Sequence, residues 1–147
     1  MNQPVKAFCF LITILVYTAI SFKSYSQKTF HLENCDFDIV FTKTELPAGF
    51  GKDSTDLQKF FFEKMEVGKK NIKGDMEITA IIDSLGKACW EYVENNSNYN
   101  VEKKLREILN SMPSWKPAFQ NGRTVTARQH ILLHFENHSL TATCRMG

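Results

Sequence analysis

The chain has 147 residues, with 18 Lys or Arg against 16 Asp or Glu, and 4 cysteines. That length suits one domain plus an appendage. The charge is too evenly balanced for a concentrated phosphate-binding surface, so no nucleic-acid partner is expected.

The first segment, Met1–Ser26, carries Lys6, then an uncharged run of 16 residues from Ala7 to Phe22, then Lys23-Ser24-Tyr25-Ser26. One early lysine, an apolar stretch and small residues predict an export signal cleaved near Ser26/Gln27. The competing reading is a retained inner-membrane anchor, although a span usually needs about 20 apolar residues. Cys9 lies too early to be a lipid-attachment cysteine. Cleavage would remove Lys6 and Lys23 but no acid, leaving 16 bases against 16 acids. Export places the protein in the periplasm or outside the cell, where disulfides are permitted. Three cysteines remain, Cys35, Cys89 and Cys144. Free thiols are the default reading, and a Cys35–Cys144 bridge between the two ends is the alternative. No Cys/His spacing suits zinc.

Residues 27–44 form an extension in which Asp36–Thr42 alternates and predicts a short strand. Glu45-Leu46-Pro47-Ala48-Gly49-Phe50-Gly51 is a turn-rich connector. Leu57, Phe60, Phe61 and Met65 then recur at helical spacing, so a helix is expected over Asp53–Met65, with Phe62 off its apolar stripe. Lys69-Lys70 and Lys103-Lys104 are short basic runs, best read as solvated faces.

Met76, Ile78, Ala80 and Ile82 alternate with Asp75, Glu77, Thr79 and Asp83, the pattern of a half-buried strand. Asp83–Gly86 predicts a turn. Lys87–Glu94 returns as a second strand through Ala88, Trp90, Tyr92 and Val93, with imperfect alternation that predicts a bulge. Val101, Leu105, Ile108, Leu109 and Met112 make a continuous helical stripe, with Asn98 or Asn100 as the expected cap and Pro113 as the stop. After Gly122, Val125, Ala127, Ile131, Leu133 and Phe135 face one way. Thr124, Thr126, Arg128, His130, Leu132, His134 and Glu136 face the other. One long strand is expected over residues 123–136, with 137–147 as a C-terminal tail.

This order predicts an α+β domain with helices on one face of an antiparallel sheet. Three signatures add a resemblance. Glu45–Gly51 is similar to the Glu-x-Pro, Phe, Gly-rich entry of the TonB C-terminal domain family. Gly74 and the Asp83–Gly86 turn match its hairpin. Met112-Pro113-Ser114-Trp115-Lys116-Pro117-Ala118, followed by Gly122-Arg123-Thr124-Val125, matches its helix-to-strand crossing. Residues 45–136 resemble that family, and the resemblance implies two helices packed on a three-stranded antiparallel sheet, plus here a short N-terminal strand. Pro113, Trp115, Pro117 and Gly122 read as structural: a helix stop, a buried ring, a stiff crossing and a turn. Two features depart from the family pattern. No proline-rich spacer separates Ser26 from the domain, whose extension of about 20 residues reaches at most roughly 70 Å. No Tyr-Pro pair follows the first helix.

His130-x3-His134-x3-His138 is the one metal-like spacing. On a strand, positions four apart stand ~13 Å from each other at ~3.3 Å per residue, too far for shared coordination. No metal, cofactor or catalytic residue is therefore expected, and neither a phosphate loop nor a nucleophile elbow occurs. The functional expectation is a non-enzymatic envelope module that takes an extended peptide by strand addition. The expected docking strip is an open edge of the last strand, at Thr124, Thr126, Arg128, His130, Leu132 and His134. An outer-membrane receptor segment, another envelope protein or a second copy would be the partner. The alternatives are an exported hydrolase or enzyme accessory built around His31, Asp36 and Asp38, or a self-associating structural protein.

Overall fold

The computed structural model describes residues 27–147. The expected export signal or anchor at 1–26 lies outside them, and among the described residues no helix is long and apolar enough to cross a membrane.

The elements are β1 (Lys28–His31), α1 (Asp56–Lys64), a 3-10 turn (Val67–Lys69), β2 (Gly74–Ile82), β3 (Ala88–Asn95), α2 (Glu102–Asn110), β4 (Ala118–Gln120), β5 (Arg123–Val125), β6 (Ala127–Glu136) and β7 (Ser139–Met146). The main sheet has five antiparallel strands in the order β1-β3-β2-β6-β7, and β4 and β5 form a separate hairpin. The α+β expectation with two helices holds. The three-stranded sheet does not, because β1 extends one side of the β2–β3–β6 core and β7 the other.

The periodic segments behave as their patterns require. Met76, Ile78, Ala80 and Ile82 are all buried, as are Ile131, Leu133 and Phe135 on β6. Leu57 and Phe61 of α1, and Leu105, Ile108 and Leu109 of α2, join them in a single cluster. The expected bulge in the β2–β3 hairpin is present, since the register shifts between Thr79 and Ala80, opposite Tyr92 and Trp90. Apolar burial on this scale, worth ~25 cal/mol per Å², is what holds both helices to the sheet.

Four expectations need correction. First, the N-terminal strand is Lys28–His31, not Asp36–Thr42. β1 takes the outer side of β3, so the 36–42 segment keeps one backbone pairing, Phe41 with Ala127 at the start of β6. Second, the expected long strand over 123–136 is broken at Thr126. β5 turns aside to pair with β4, while β6 enters the main sheet. Third, residues 137–147 are no tail: Asn137 and His138 adopt positive φ of 45° and 65° and return the chain as β7. Such a turn matches the twist of a two-residue hairpin. Fourth, α2 begins after Val101 without a side-chain cap. Asn98 is bound instead to Asn71 and Lys73, and Asn100 accepts from Lys28 Nζ at 3.1 Å.

The segment between β1 and α1 straps the sheet. A disulfide joins Cys35 to Cys89, with Cα atoms 5.9 Å apart, and leaves Cys144 free. Neither the all-free reading nor a Cys35–Cys144 bridge is realised, because Cys144 lies on β7, at the far edge of the sheet from β3. From Cys35 the chain crosses β2 to reach β6 at Phe41, and Ile81, paired with Cys89 and Arg128, is 1% exposed. The connector then runs antiparallel to the crossing after α2, through the bridges Leu46–Phe119 and Gly49–Lys116. Trp115 N–H donates to Gly86 O at 2.8 Å, and its ring packs edge-on against Phe50 at 5.3 Å. Gly86 has φ +85°, and a Cβ there would collide with the Trp115 carbonyl. The hairpin turn, the connector and the Trp115 crossing thus form one packed unit beside α1.

Candidate functional site

The strip expected to dock a partner is not an edge. β6 pairs with β2 from Ala127 to Phe135 and with β7 from Gln129 to Glu136. Before β7 reaches it, Phe41 closes the gap: its N–H donates to Thr126 O at 2.9 Å, and its carbonyl accepts from Arg128 N–H at 3.0 Å. Thr124 sits in the small hairpin opposite Phe119. The remaining side chains lie on the face opposite the helices and are engaged there. Arg128 grips Glu91 through two nitrogens at 3.0 and 3.1 Å. His130 Nδ1 meets Glu77 at 2.6 Å, and Thr79 Oγ1 at 3.3 Å. His134 Nδ1 meets Asp75 at 2.6 Å, and that hydrogen bond, aided by the carboxylate charge, raises the imidazole pKa above its usual value. Leu132 lies between them in a shallow depression of about 300 Å³ that Asp75, Glu77 and Glu94 make acidic. His138 is a turn residue, and His130 and His134 each keep a separate carboxylate partner.

With β6 internal, the edges of the sheet are β1 and β7. On β1, parity follows from Leu32 N–H, which donates to Glu91 O. Thr29 and His31 therefore turn their backbone groups outward. The His31 carbonyl is taken by Arg106 Nη2 at 2.6 Å, and the Leu32 carbonyl by Nη1 at 2.9 Å. Glu102 Oε1 holds the same guanidinium at 2.7 Å.

On β7 the two-residue turn makes Glu136–Ser139 a hydrogen-bonded pair, and Gly147 N–H donating to Arg128 O gives the same parity at the other end. Leu140, Ala142, Cys144 and Met146 therefore direct N–H and C=O away from β6. Leu140 and Ala142 are 4% and 7% exposed beneath α1, whereas Cys144 is exposed. No other backbone group among the described residues bonds to these outward positions.

Against that opening lies a groove of about 430 Å³ between β7, the connector and the start of α1. Such a volume falls within the usual range of ligand sites. Ala48, Phe50, Leu57 and Ala142 supply apolar wall, and the exposed lysines Lys52 and Lys116 also line it. The loop is shaped by its own carboxylates. Asp56 Oδ2 accepts from Lys52 N–H at 2.7 Å, and Asp53 Oδ1 accepts from Thr55 N–H at 2.7 Å and Oγ1 at 2.6 Å. The Thr55 hydrogen bonds hold the Asp53 carboxyl below its ordinary pKa.

The groove includes one thiol. Although Cys144 is exposed as a residue, its thiol turns inward and donates to Gln129 Oε1 at 3.2 Å, and burial of the sulfur pushes its pKa up to about 11, so it stays a thiol at neutral pH. Asp36 and Asp38, of the alternative catalytic cluster, are exposed, and neither they nor His31 line the groove or the acidic depression. Glu33, Cys35 and Cys89 bring three ligand-type atoms together, but both sulfurs are spent on the disulfide. The β7 edge went unread in the sequence although Leu140, Ala142, Cys144 and Met146 alternate with Ser139, Thr141, Thr143 and Arg145. Comparisons with protein-family models, with curated proteins and with solved structures find no match to this chain.

Proposed function

We propose that this protein is an exported, non-enzymatic envelope module that binds an extended peptide by strand addition at the β7 edge. The observation that carries this reading is the outward backbone of Cys144 and Met146, with Cys144 bordering a groove that can take side chains. An unpaired strand edge is a template for another strand unless charge, proline or cover blunts it. Cover blunts the first half of β7, through Ala142, and Arg106 occupies the edge of β1; the stretch from Thr143 onward is left. The resemblance of residues 45–136 to the TonB C-terminal domain family supports the same class of recognition, and Ala48–Gly51 and Lys116, from two of the segments that carry it, line the groove.

The magnitudes define the kind of binder. An added strand can make about four backbone hydrogen bonds to Cys144 and Met146, each worth a net ~0.5–1.5 kcal/mol. Association itself costs at least ~4 kcal/mol. Pairing alone therefore leaves little or no affinity, and side chains seated in the groove must supply the rest.

Cys144→Pro tests the reading. Its N–H points outward, so the change removes no bond to β6, and edge positions tolerate proline. With an alternating Thr/Val nonapeptide as probe, amide hydrogen exchange should slow at Cys144 and Met146 in the wild type. Cys144→Ser should behave likewise, and Cys144→Pro should lose binding while melting within a few degrees of wild type. Protection confined to β1, or undiminished binding by Cys144→Pro, would remove β7 from consideration.

A further inference from the structure

We infer that the groove beside β7 selects an acidic extended segment, a conclusion that rests on strand addition at β7. When a strand is added, alternate side chains fall on the same side of the sheet. Those on the side of Ala142 and Cys144 enter the groove. There they meet the apolar wall of Ala48, Phe50 and Leu57 and the rim amines of Lys52 and Lys116.

The carboxylates near that rim keep their charge but are turned onto donors of the loop itself. Asp53 is turned onto Thr55, and Asp56 onto the Lys52 N–H, with Lys59 3.9 Å from its other oxygen. The Lys52 and Lys116 ammonium groups, by contrast, enter no ion pair among the described residues. The opposite side of the same edge carries mixed charge. Thr141 and Thr143 border the depression lined by Asp75, Glu77 and Glu94, where His134 meets Asp75 and both His130 and Arg145 meet Glu77. An acidic residue is therefore attracted on the groove side of the added strand and meets only cations already paired on the other. Charge of this kind sets which face of a segment turns inward and which partner is rejected, more than it sets raw affinity. The structure thus assigns the occupant a pattern: an apolar residue and an acidic residue two positions apart, facing the same way.

Three nonapeptides with one alternating Thr/Val frame test this, carrying two glutamates, two glutamines or two lysines at positions of the same parity as the valines. Calorimetric titration at low salt should rank them Glu, then Gln, then Lys, with Glu preferred over Gln by about five- to tenfold. That preference should shrink at high salt. The Lys52→Gln, Lys116→Gln double variant should bind the Gln peptide as wild type does and lose the preference. Equal binding of the Glu and Gln peptides, or a preference that survives the double variant, overturns the acidic occupant and leaves strand addition standing. Failure of all three to bind overturns both. Sedimentation of the protein alone supplies the last arm: a dimer abolished by Cys144→Pro would put a second copy in the groove and refute the acidic segment.

Discussion

The sheet ends in β1 on one side and β7 on the other, and the two edges are finished by different means. β1 has four residues, yet it is clamped: the Arg106 guanidinium sits on the His31 and Leu32 carbonyls, and the disulfide at Cys35 fastens the chain four residues on. β7 has eight residues and no clamp of that kind. α1 covers its first half, and its second half faces a groove. A protein that closes its shorter edge with a cation and a covalent bond, while leaving part of the longer one open, has separated the edge that needs protection from the edge that can be used.

The largest perturbation should come from Trp115→Ala, on the open side. The ring is 4% exposed and packs on Phe50, a wall of the groove. Removing a buried large aromatic costs roughly 3–5 kcal/mol, to be read from denaturant unfolding. Peptide capture should weaken with it. A variant melting within a degree or two of wild type would show that the ring does not support the groove. Next comes the closed side. Replacing Cys35 and Cys89 together with serine opens a loop of 54 residues and should cost roughly 2–4 kcal/mol. Binding at β7 should survive in the fraction that remains folded. Loss of capture in proportion to the loosened strap would mean that the two edges are coupled.

Arg106→Ala should be milder, about 1–2 kcal/mol, since its hydrogen bonds are charge-assisted but the side chain is partly exposed. Its sharper readout is the oligomeric state. With the His31 carbonyl released, β1 becomes an available edge, and concentration-dependent association should appear in sedimentation where wild type shows none through that edge. If the variant instead stays unchanged in association at millimolar concentration, Arg106 is not what protects β1.

Both edges were the least legible parts of the sequence, for separable reasons. The helices and the β2–β3 hairpin were readable because long apolar residues repeat at a clear period, as Leu105, Ile108 and Leu109 do on α2. β7 has the same strict alternation as β2, but Ala142 and Cys144 are small and Thr141 and Thr143 are only mildly polar, so the contrast between its faces is weak. Its turn lacks glycine, the strongest hairpin signal, and uses Asn137 and His138 in left-handed conformations instead. β1 carries one apolar residue, Phe30, in Lys28-Thr29-Phe30-His31, and exists because β3 offers it a partner. The break at Thr126 was hidden because alternation continues across it from Val125 to Ala127. The pairing of Cys35 with Cys89 could not be derived from spacing, which leaves every connectivity open. The candidate site suffered most: its backbone is on β7, and its walls come from segments legible only as connectors.

The smallest expected effect concerns the seam between the two halves of the comparison, where His134 of β6 reaches Asp75 of β2 at 2.6 Å on the open face of the sheet. Both side chains are well exposed, at 58% and 69%, so screening by water and salt keeps the contribution small. Its sign is nevertheless determined. The hydrogen bond to Asp75, with the attraction of its charge, raises the pKa of His134 above the ordinary value of 6.5. A group whose pKa is higher folded than unfolded stabilises the fold fully below the unfolded value, and loses that contribution as pH rises through the folded one. The melting temperature of wild type minus that of His134→Asn should therefore be positive below the ordinary histidine pKa and decline as pH rises past it. Raising the salt concentration should flatten the decline. A difference that stayed constant with pH would show that the pair contributes packing rather than charge, and a difference that grew with pH would reverse the sign of the linkage. Because Thr141 pairs with His134 across the β6–β7 ladder, hydrogen exchange at Thr141 should follow the same pH course, while exchange at Phe30 on β1 should not.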